Sequence, residues 1–462
     1  MQRLGGRPRR QRPARAAAAR PAQNAGWAQL PTPLLHACFA LLPLDARLLA
    51  AGVCAGWRAA AAAQDWTRLS FHGCAATTNN MKRNQLFLAA ARRAGNAAVA
   101  LELAMSEDEY TRHISRRVLL EVLRANGATL REVSLGDELY SEMELAEFVK
   151  AVPHAHVFAA QADLCSQPLA LPMLRNEPPF AALRLHKVGL YHDVFAADLH
   201  TLMSAVAAHT SLRTLKVNSF FTAAAEINAV VDAAVSLGLC ELTIETRAFV
   251  LPTAAALPRL LQSEALTALT IKNGFLDSED YPQVRMSLAS AVALAAALRT
   301  NSTLTALSIE RLRLWETDAA DSLLVALTSH PSLRSISFDN NEVPAATAVK
   351  IGAALGVLIA ADAPALESLQ LYNCQLGDAG MAPVVAALPR NTHLRVLDID
   401  RSSMSVPFAR AHLLPALQAC TSVHTIHGRH GCRDSCISEF MPGLGQELEQ
   451  LLSPRRPAEA AR

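Results

Sequence analysis

The 462-residue sequence lacks several features that would indicate a membrane protein or a nucleic-acid-binding protein. It has no strong net charge, because 43 lysines and arginines are balanced by 41 aspartates and glutamates, giving +2. That balance argues against nucleic acid as the main partner. Its nine cysteines are scattered without clustered pairs, which indicates free thiols in a reducing compartment, the cytoplasm or the nucleus. The longest apolar runs, such as residues 351–361, are about half the length of a membrane-spanning helix, so no membrane association is predicted.

Motifs of catalysis and cofactor binding are also missing. There is no phosphate-cradling glycine loop, no His-Glu-x-x-His zinc motif and no serine on a strand–helix elbow. One C-terminal cluster has the residue types that bind zinc, and it consists of Cys420, His424, His427, His430, Cys432 and Cys436. It lacks a Cys-x-x-Cys pair and coincides with a weak last strand, so a C-terminal cap is favoured over a zinc site. We therefore predict a non-enzymatic chain without cofactor or metal.

What the sequence does contain is a recurring phrase of the form Leu-x-x-Leu-x-Leu-x-x-Asn/Cys-x-Leu. Residues 366–376 match it at every position, and residues 333–343 match it again. Weaker copies begin at Leu130, Ala155, Phe180, Leu212, Leu239, Leu266, Leu304 and Leu394. The typical period is about 28 residues, and a unit of this size must stack on its neighbours to bury its apolar face. The predicted architecture is a solenoid, which usually serves as a surface for holding another protein.

Each period leaves room for a helix after the strand. Helices are predicted over residues 287–299, 319–328, 345–361, 381–388 and 409–419. This arrangement resembles the ribonuclease-inhibitor-like class of leucine-rich repeats. The resemblance implies an α/β solenoid, a horseshoe with a parallel concave sheet and convex helices. We expect it over residues 98–440, with a degenerate first strand at 98–103, irregular chain over 136–180 and a long insert over 272–287.

The phrase also assigns side chains to faces. Its leucines should point into the core, while the alternating residues line the concave sheet. The Asn/Cys position should bond the backbone where the strand turns, so Asn341 and Cys374 are predicted to be structural. The candidate client-binding residues on the concave face are Lys216, Asn218, Lys272, Glu310, Asp339, Gln370, Tyr372, Asp398 and Asp400. The later residues lean acidic, which would suit a basic client segment; an ordinary solvated sheet face is the alternative.

The segments flanking the solenoid differ from it in composition. The first 26 residues carry seven arginines and no acid, which fits a disordered tail, a nuclear signal, a nucleic-acid-contacting arm or a transit peptide. Prolines at positions 8, 13 and 21 disfavour the amphipathic helix of a transit peptide. Residues 72–97 are predicted to be a linking helix, and residues 441–462 a C-terminal tail.

Residues 27–71 form a predicted helical module. Leu34, Leu35, Cys38, Phe39 and Leu42 share the spacing of one helical face. Pro43 ends that helix, and Asp45 can cap a second helix, whose apolar row includes Leu48, Leu49, Val53 and Cys54. So short a segment cannot bury these side chains alone. They must pack on the solenoid or on a partner.

The order of these residues resembles the F-box. The matching features are Leu30-Pro31, Leu34-Leu35, Cys38-Phe39, Leu42-Pro43, the block from Val53 to Arg58 and the late Trp66. Pro33, Ala46 and Asp65 depart from the family pattern. The resemblance implies docking to a Skp-type adaptor and, through it, to a cullin scaffold. The candidate adaptor contacts that it implies are Leu30, Pro31, Leu34, Leu35, Phe39, Leu42, Pro43, Leu48, Val53 and Cys54.

The sequence therefore predicts an F-box protein with leucine-rich repeats, the substrate-recognition subunit of a Skp–cullin–F-box ubiquitin ligase. Such a subunit holds a client protein near the ubiquitin-conjugating enzyme and performs no chemistry itself. Two alternatives remain. One is a non-catalytic interaction scaffold whose N-terminal module caps the first repeat. The other is a small-GTPase-activating protein, because some of these contain similar repeats, although no residue here can be assigned as catalytic.

Overall fold

A computed structural model describes most of the repeat region. The described residues are 68–72, 85, 88–92, 94, 98–104, 115–164, 167–191, 199–219, 224–246, 256–274, 285–316, 319–426 and 444–452. Thirteen strands in these ranges form one sheet, in which every strand pairs in parallel with the next along the chain. This uncrossed order is the topology of a solenoid, so the predicted α/β leucine-rich-repeat fold is confirmed.

The strands lie at the following positions. They are β1 (Arg68–His72), β2 (Ala100–Ala104), β3 (Glu132–Ser141), β4 (Val157–Leu164), β5 (Leu183–Tyr191), β6 (Thr214–Ser219), β7 (Glu241–Thr246), β8 (Ala268–Asn273), β9 (Ala306–Glu310), β10 (Ser335–Ser337), β11 (Ser368–Gln370), β12 (Val396–Asp398) and β13 (Thr425–Ile426).

Helices follow most of the strands. They are α1 (Arg116–Asn126), α2 (Glu142–Ala151), α3 (Gln167–Leu174), α4 (Leu199–Val206), α5 (Ala224–Leu237), α6 (Ala256–Leu261), α7 (Leu288–Leu298), α8 (Ala319–Thr328), α9 (Ala348–Ala360), α10 (Gly377–Ala387), α11 (Val406–Phe408), α12 (Leu414–Ala419) and α13 (Leu444–Leu452). A π-helical turn over Ala409–Leu413 joins α11 to α12. Four of the five helices predicted from the sequence are present, with bounds shifted by at most four residues. The fifth, predicted over residues 409–419, consists of the π-helical turn followed by α12.

The phrase positions account for the core. In the best copy, the side chains of Leu366, Leu369 and Leu371 are 3%, 0% and 0% exposed, while Gln370 between them is only half-buried. Full burial of one leucine contributes roughly 1.5–3 kcal/mol. Since the same positions are buried in successive copies, the apolar core runs along the whole array. The predicted assignment of leucines to the core is confirmed.

The structure differs from the sequence expectations in three places. The sheet begins with β1 at Arg68, rather than at residue 98, because β1 pairs with the full length of β2. Residues 136–180 are not irregular, since they complete β3 and contain α2, β4 and α3. Residues 444–452 are not tail but the helix α13. Leu448 and Leu452 are buried, and Glu447 pairs with Arg410 at 3.1 Å.

Other expectations concern regions described only in part. Residues 88–92 of the predicted linking helix are helical, with Ala90 and Ala91 buried. The core of the predicted insert, residues 275–284, lies outside the described residues, as do residues 1–67 and 453–462. In the described part of the chain, no helix combines the length and apolar character needed to cross a bilayer.

Candidate protein-binding face

The inner face of the sheet presents two rows of side chains across β4–β9. The first row consists of Asp163, Gly189, Lys216, Thr243, Thr270 and Ser308, which are register neighbours. The second row, two residues further along each strand, consists of Tyr191, Asn218, Glu245, Lys272 and Glu310. Between the rows, Val217, Ile244 and Ile271 are fully buried, because side chains alternate between the two faces of a strand.

Two lysines in these rows share one carboxylate. Glu245 Oε2 lies 3.5 Å from Lys216 Nζ and 3.2 Å from Lys272 Nζ. The lysine side chains are 33% and 29% exposed, whereas Glu245 is 11% exposed. We call Lys216, Glu245 and Lys272 the lysine–glutamate triplet. Its two ammonium groups carry one positive charge more than its carboxylate can balance, and both remain accessible to solvent.

Tyr191 on β5 also restrains Lys216, whereas Glu245 lies on β7. Its Nζ donates to the Tyr191 hydroxyl at 3.4 Å and lies 5.3 Å from the centre of that ring, a cation–π arrangement. Burial alone would lower the pKa of Lys216, but Tyr191, Glu245 and Asp163 outweigh burial and raise this pKa above its ordinary value. The ammonium group is therefore fully charged at neutral pH.

Gly189 leaves room for a carboxylate beside Lys216. A Cβ at Gly189 would lie 2.1 Å from Asp163 Oδ1, so a larger residue would displace this side chain. Burial raises the pKa of Asp163, and the charges of Lys216 and Lys187 partly counteract that effect. Gly189, Asp163 and Tyr191 were missed in the sequence. The long-range pairing of β4 with β5 is what brings them beside Lys216.

Four of the nine candidate client-binding residues are buried rather than solvent-facing. The side chains of Asn218, Glu310, Asp339 and Asp398 are 2%, 8%, 0% and 2% exposed. Strands lie only about 4.8 Å apart, so neighbouring side chains cover these positions. Asp339 Oδ1 accepts from Tyr372 N at 3.1 Å, and Asp398 Oδ1 accepts from Asp400 N at 3.1 Å. These two carboxylates stabilise the backbone. The expectation of an open acidic surface is wrong for the three buried acids, Glu310, Asp339 and Asp398, and the client-binding role of the nine candidates stays a prediction.

The remaining five candidates are half-buried and can be reached from solvent. They are Lys216, Lys272, Gln370, Tyr372 and Asp400. Lys216 and Lys272 belong to the lysine–glutamate triplet, whereas Tyr372 stacks near Arg401, whose guanidinium carbon lies 5.4 Å from the ring centre. The accessible inner face therefore has a lysine-bearing part at β6–β8 and a tyrosine-bearing part at β11–β12.

The Asn/Cys positions bond the backbone, as predicted. Asn341 Nδ2 donates to Ile309 O at 2.7 Å and Phe338 O at 2.8 Å, and its Oδ1 accepts from Leu312 N at 2.9 Å. Cys374 Sγ donates to Phe338 O at 3.3 Å. Burial, reinforced by the Asp339 carboxylate, raises the pKa of Cys374 far above its usual range. A thiol this hard to ionise is not a nucleophile, which agrees with the predicted structural role.

The other sequence-based candidates are described only in part. Cys420 is buried, and its Sγ approaches Asn391 O at 3.9 Å, while His424 Nδ1 lies 3.0 Å from Thr425 Oγ1. The cluster's remaining members, His427, His430, Cys432 and Cys436, lie outside the described residues, as do all ten candidate adaptor contacts from Leu30 to Cys54. Within the described ranges, no three metal-ligating side chains come together.

Comparison with known proteins adds little beyond architecture. No protein-family model and no curated protein sequence matches the chain. Among solved structures, the chain is similar to the yeast complex of Rad7 and Elc1, with 15% identity, a TM-score of 0.39, and coverage of 82% of this chain and 81% of the other. It is similar to the leucine-rich-repeat-containing protein LegL7 from Legionella pneumophila, with 13% identity, a TM-score of 0.33, and coverage of 85% and 99%.

A third similar structure is the TLR13–ssRNA13 complex, with 12% identity, a TM-score of 0.32, and coverage of 78% of this chain and 54% of the other. At these identities the likeness concerns the fold alone. The class of protein is defined by the chain's own sheet and repeats. It is a leucine-rich-repeat solenoid with a polar, partly exposed inner face.

Proposed function

We propose that this chain is the substrate-recognition subunit of a Skp–cullin–F-box ubiquitin ligase. The carrying observation is the sequence order. F-box-like residues from Leu30 to Trp66 directly precede a leucine-rich-repeat array whose first strand begins at Arg68. The F-box-like module would dock a Skp-type adaptor, and the inner face of the repeats would bind the client protein.

The proposal assigns no bond-making step to the chain itself. Its contribution is proximity, because a client lysine held near the conjugating enzyme reacts at a high effective concentration. The inner face supports a binding role, since its lysine and tyrosine side chains are partly exposed and held in place by neighbours. We expect the protein in the cytoplasm, the nucleus or both, where its thiols would remain reduced.

The test is a pulldown of the purified full chain with a Skp-type adaptor. We expect wild type to bind and the double variant Leu35→Asp/Val53→Asp to lose binding, because two buried charges would disrupt an apolar interface. The matched control is Val325→Asp/Val357→Asp. These two valines are 62% and 61% exposed on α8 and α9, so this variant should bind the adaptor like wild type.

Circular dichroism on all three proteins separates loss of binding from loss of folding. If well-folded wild type does not bind the adaptor, the ubiquitin-ligase proposal is wrong, and an interaction scaffold with an N-terminal helical cap becomes the better description. If the control variant also loses binding, the interface is not confined to the F-box-like module.

A further inference from the structure

We propose that the lysine–glutamate triplet anchors the client, and that the client presents an aspartate or glutamate side chain to it. This inference rests on the proposed function and names the chemistry of the partner that the inner face recognises. It is argued from the geometry of β4–β8, so its test can fail independently of adaptor binding.

The accessible charge at the triplet is that of its two ammonium groups. Lys216 and Lys272 share the Glu245 carboxylate at 3.5 and 3.2 Å, and their side chains are 33% and 29% exposed, whereas Glu245 is 11% exposed. The Asp163 carboxylate interacts with Lys216 and Lys187, and Glu310, the register neighbour of Lys272, is 8% exposed and accepts from the Ser308 hydroxyl at 2.7 Å. An incoming carboxylate therefore meets two partly exposed cations.

A carboxylate also fits better than a phosphate group. A phosphorylated side chain carries about −1.5 to −2 charges at neutral pH, which places more negative charge near the Glu245, Glu310 and Asp163 carboxylates than a single carboxylate does. A single carboxylate can instead pair with both ammonium groups by charge-assisted hydrogen bonds. The carboxylates around the lysines therefore favour an Asp or Glu side chain.

Short polar side chains lie beside the triplet. Thr243 and Thr270 occupy the first row beside Lys216 and lie two residues before Glu245 and Lys272 on their strands. Both are half-buried. Their hydroxyls therefore share the inner face with the two ammonium groups and can donate to a bound client segment.

The lysines are restrained before the client arrives. Lys216 is held by Tyr191 at 3.4 Å and by Glu245 at 3.5 Å, and Lys272 is held by the same carboxylate. Ordering a free lysine on binding would cost conformational entropy, and restraint in the unbound protein reduces that cost. This distinguishes the triplet from isolated surface lysines such as Lys150, which is exposed at the end of α2.

The test is a selection of phage-displayed random dodecapeptides on the purified full chain. We expect wild type to enrich peptides containing Asp or Glu. Lys216→Glu/Lys272→Glu should lose those peptides and weaken the affinity of a selected acidic peptide by at least about tenfold, because close charge pairs at interfaces contribute strongly to affinity. The matched control is Lys150→Glu, the same charge reversal on an outer helix, which should select the same peptides as wild type.

A second variant guards against misfolding. Lys216→Gln/Lys272→Gln keeps polar side chains of similar reach and should also weaken the acidic peptide, measured by fluorescence anisotropy. A wild-type selection that yields no acidic peptides overturns the inference. Equal binding of the acidic peptide by wild type and both double variants also overturns it.

The adaptor pulldown separates this inference from the proposed function. Lys216→Glu/Lys272→Glu should retain the adaptor, because the altered residues lie in the repeats. If wild type binds the adaptor but selects no acidic peptides, the proposed function stands and the inference fails. If wild type selects acidic peptides without binding the adaptor, the inner face is an acidic-peptide-binding surface of a scaffold.

Discussion

The strands in the first and second halves of the sheet differ in length and in the backbone conformation at which they end. From β3 to β8 the strands are 6 to 10 residues long, whereas β10, β11 and β12 have three residues each. In the later repeats the chain adopts a left-handed conformation two residues after the third apolar position of the phrase, the position of Leu371 in residues 366–376. The residues with this positive φ are Arg311 (57°), Asn340 (57°), Asn373 (54°) and Arg401 (52°).

In place of longer strand pairing, the left-handed turns of successive repeats are joined by backbone hydrogen bonds. Asn340 N donates to Tyr372 O at 2.8 Å, and Asn373 N donates to Asp400 O at 2.9 Å in the following repeat. Asn373 Nδ2 also donates to Asn340 Oδ1 at 3.2 Å. Asparagine tolerates this conformation better than most residues. In β10, β11 and β12 the regular strand therefore ends just before the left-handed turn.

This difference determines which part of the inner face is accessible. In the early strands the backbone stays extended past the core positions, so Lys272 still lies on a strand, and it is partly exposed, as is Lys216. In the later repeats, Asp339 lies at the turn and is fully buried, where its carboxylate binds the backbone of the next repeat. The early half therefore presents two partly exposed lysines, whereas in the later half Asp339 and Asp398 bind the backbone and Asp400 stays partly exposed.

The largest expected effect is on the outer side of the later half. A Cβ at Gly352 in α9 would lie 1.9 Å from the Gly380 carbonyl oxygen in α10. Gly352→Ala must push the two helices apart, and we expect a loss of about 4 kcal/mol in the free energy of unfolding. This exceeds the roughly 1–3 kcal/mol usual for overpacking, because the methyl group meets backbone rather than a flexible side chain. Urea denaturation of wild type and variant measures it.

The control is Gly238→Ala in the early half. Gly238 has a φ of +59°, but the nearest atom to its Cβ would be 3.7 Å away, so only the left-handed strain of about 1–2 kcal/mol applies. If Gly352→Ala costs no more than Gly238→Ala, α9 and α10 separate easily, and their close backbone contact does not require glycine at position 352.

A smaller effect should separate two buried asparagines, one from each half. Asn341→Ala removes the hydrogen bonds to Ile309, Phe338 and Leu312, and leaves buried backbone groups unpaired, so we expect a loss of about 3 kcal/mol. Asn218 is 2% exposed, but its Oδ1 has no hydrogen-bond partner among the described residues. Asn218→Ala should therefore cost less than Asn341→Ala in the same denaturation assay. The reverse order would mean that Asn341 does not support the turn.

The sequence was a good guide to the later half and a poor one to the early half. In the later half, the phrase from Leu366 to Leu376 predicts both the position of β11 and the structural role of Cys374. In the early half, the register shifts between Ser134 and Leu139 and between Ala160 and Gln161. These register shifts depend on how neighbouring strands pair, so the spacing of apolar residues along the sequence does not predict them. Helix α13 did leave a local signal, since Leu444, Leu448 and Leu452 recur at helical spacing.

The candidate site was predicted only residue by residue. Alternation along each strand identified Lys216 and Lys272 as inner-face residues, but their sharing of Glu245 depends on the alignment of β6, β7 and β8. The burial of Asp339 and Asp398 was not predictable either. Alternation states which face a side chain occupies, whereas burial depends on how closely adjacent side chains cover it.

The smallest expected effect concerns pH and the positions three residues before the phrase. His209 and His330 stand there, before Leu212 and Leu333, where other repeats have Asn301 and Asn391. In those repeats the asparagine bonds the backbone on both sides, as Asn391 does with Ile359 O at 2.8 Å and Leu394 N at 2.6 Å. His330 is 3% exposed. Its Nδ1 accepts from Ser332 N at 3.4 Å. Protonation of the ring would place a proton on Nδ1 and break this hydrogen bond.

Burial lowers the pKa of His330 below its ordinary value. The unfolded chain therefore takes up the proton more readily than the folded chain, and folding stability should fall as pH drops below about 6.5. His330→Asn removes this contribution, so the drop in melting temperature from pH 7.5 to 5.5 should be smaller in the variant. The exposed His154 provides the control His154→Asn, which should behave like wild type. An unchanged pH dependence in His330→Asn would show that the imidazole of His330 binds protons equally in the folded and the unfolded chain. In that case this position would tolerate histidine as readily as asparagine.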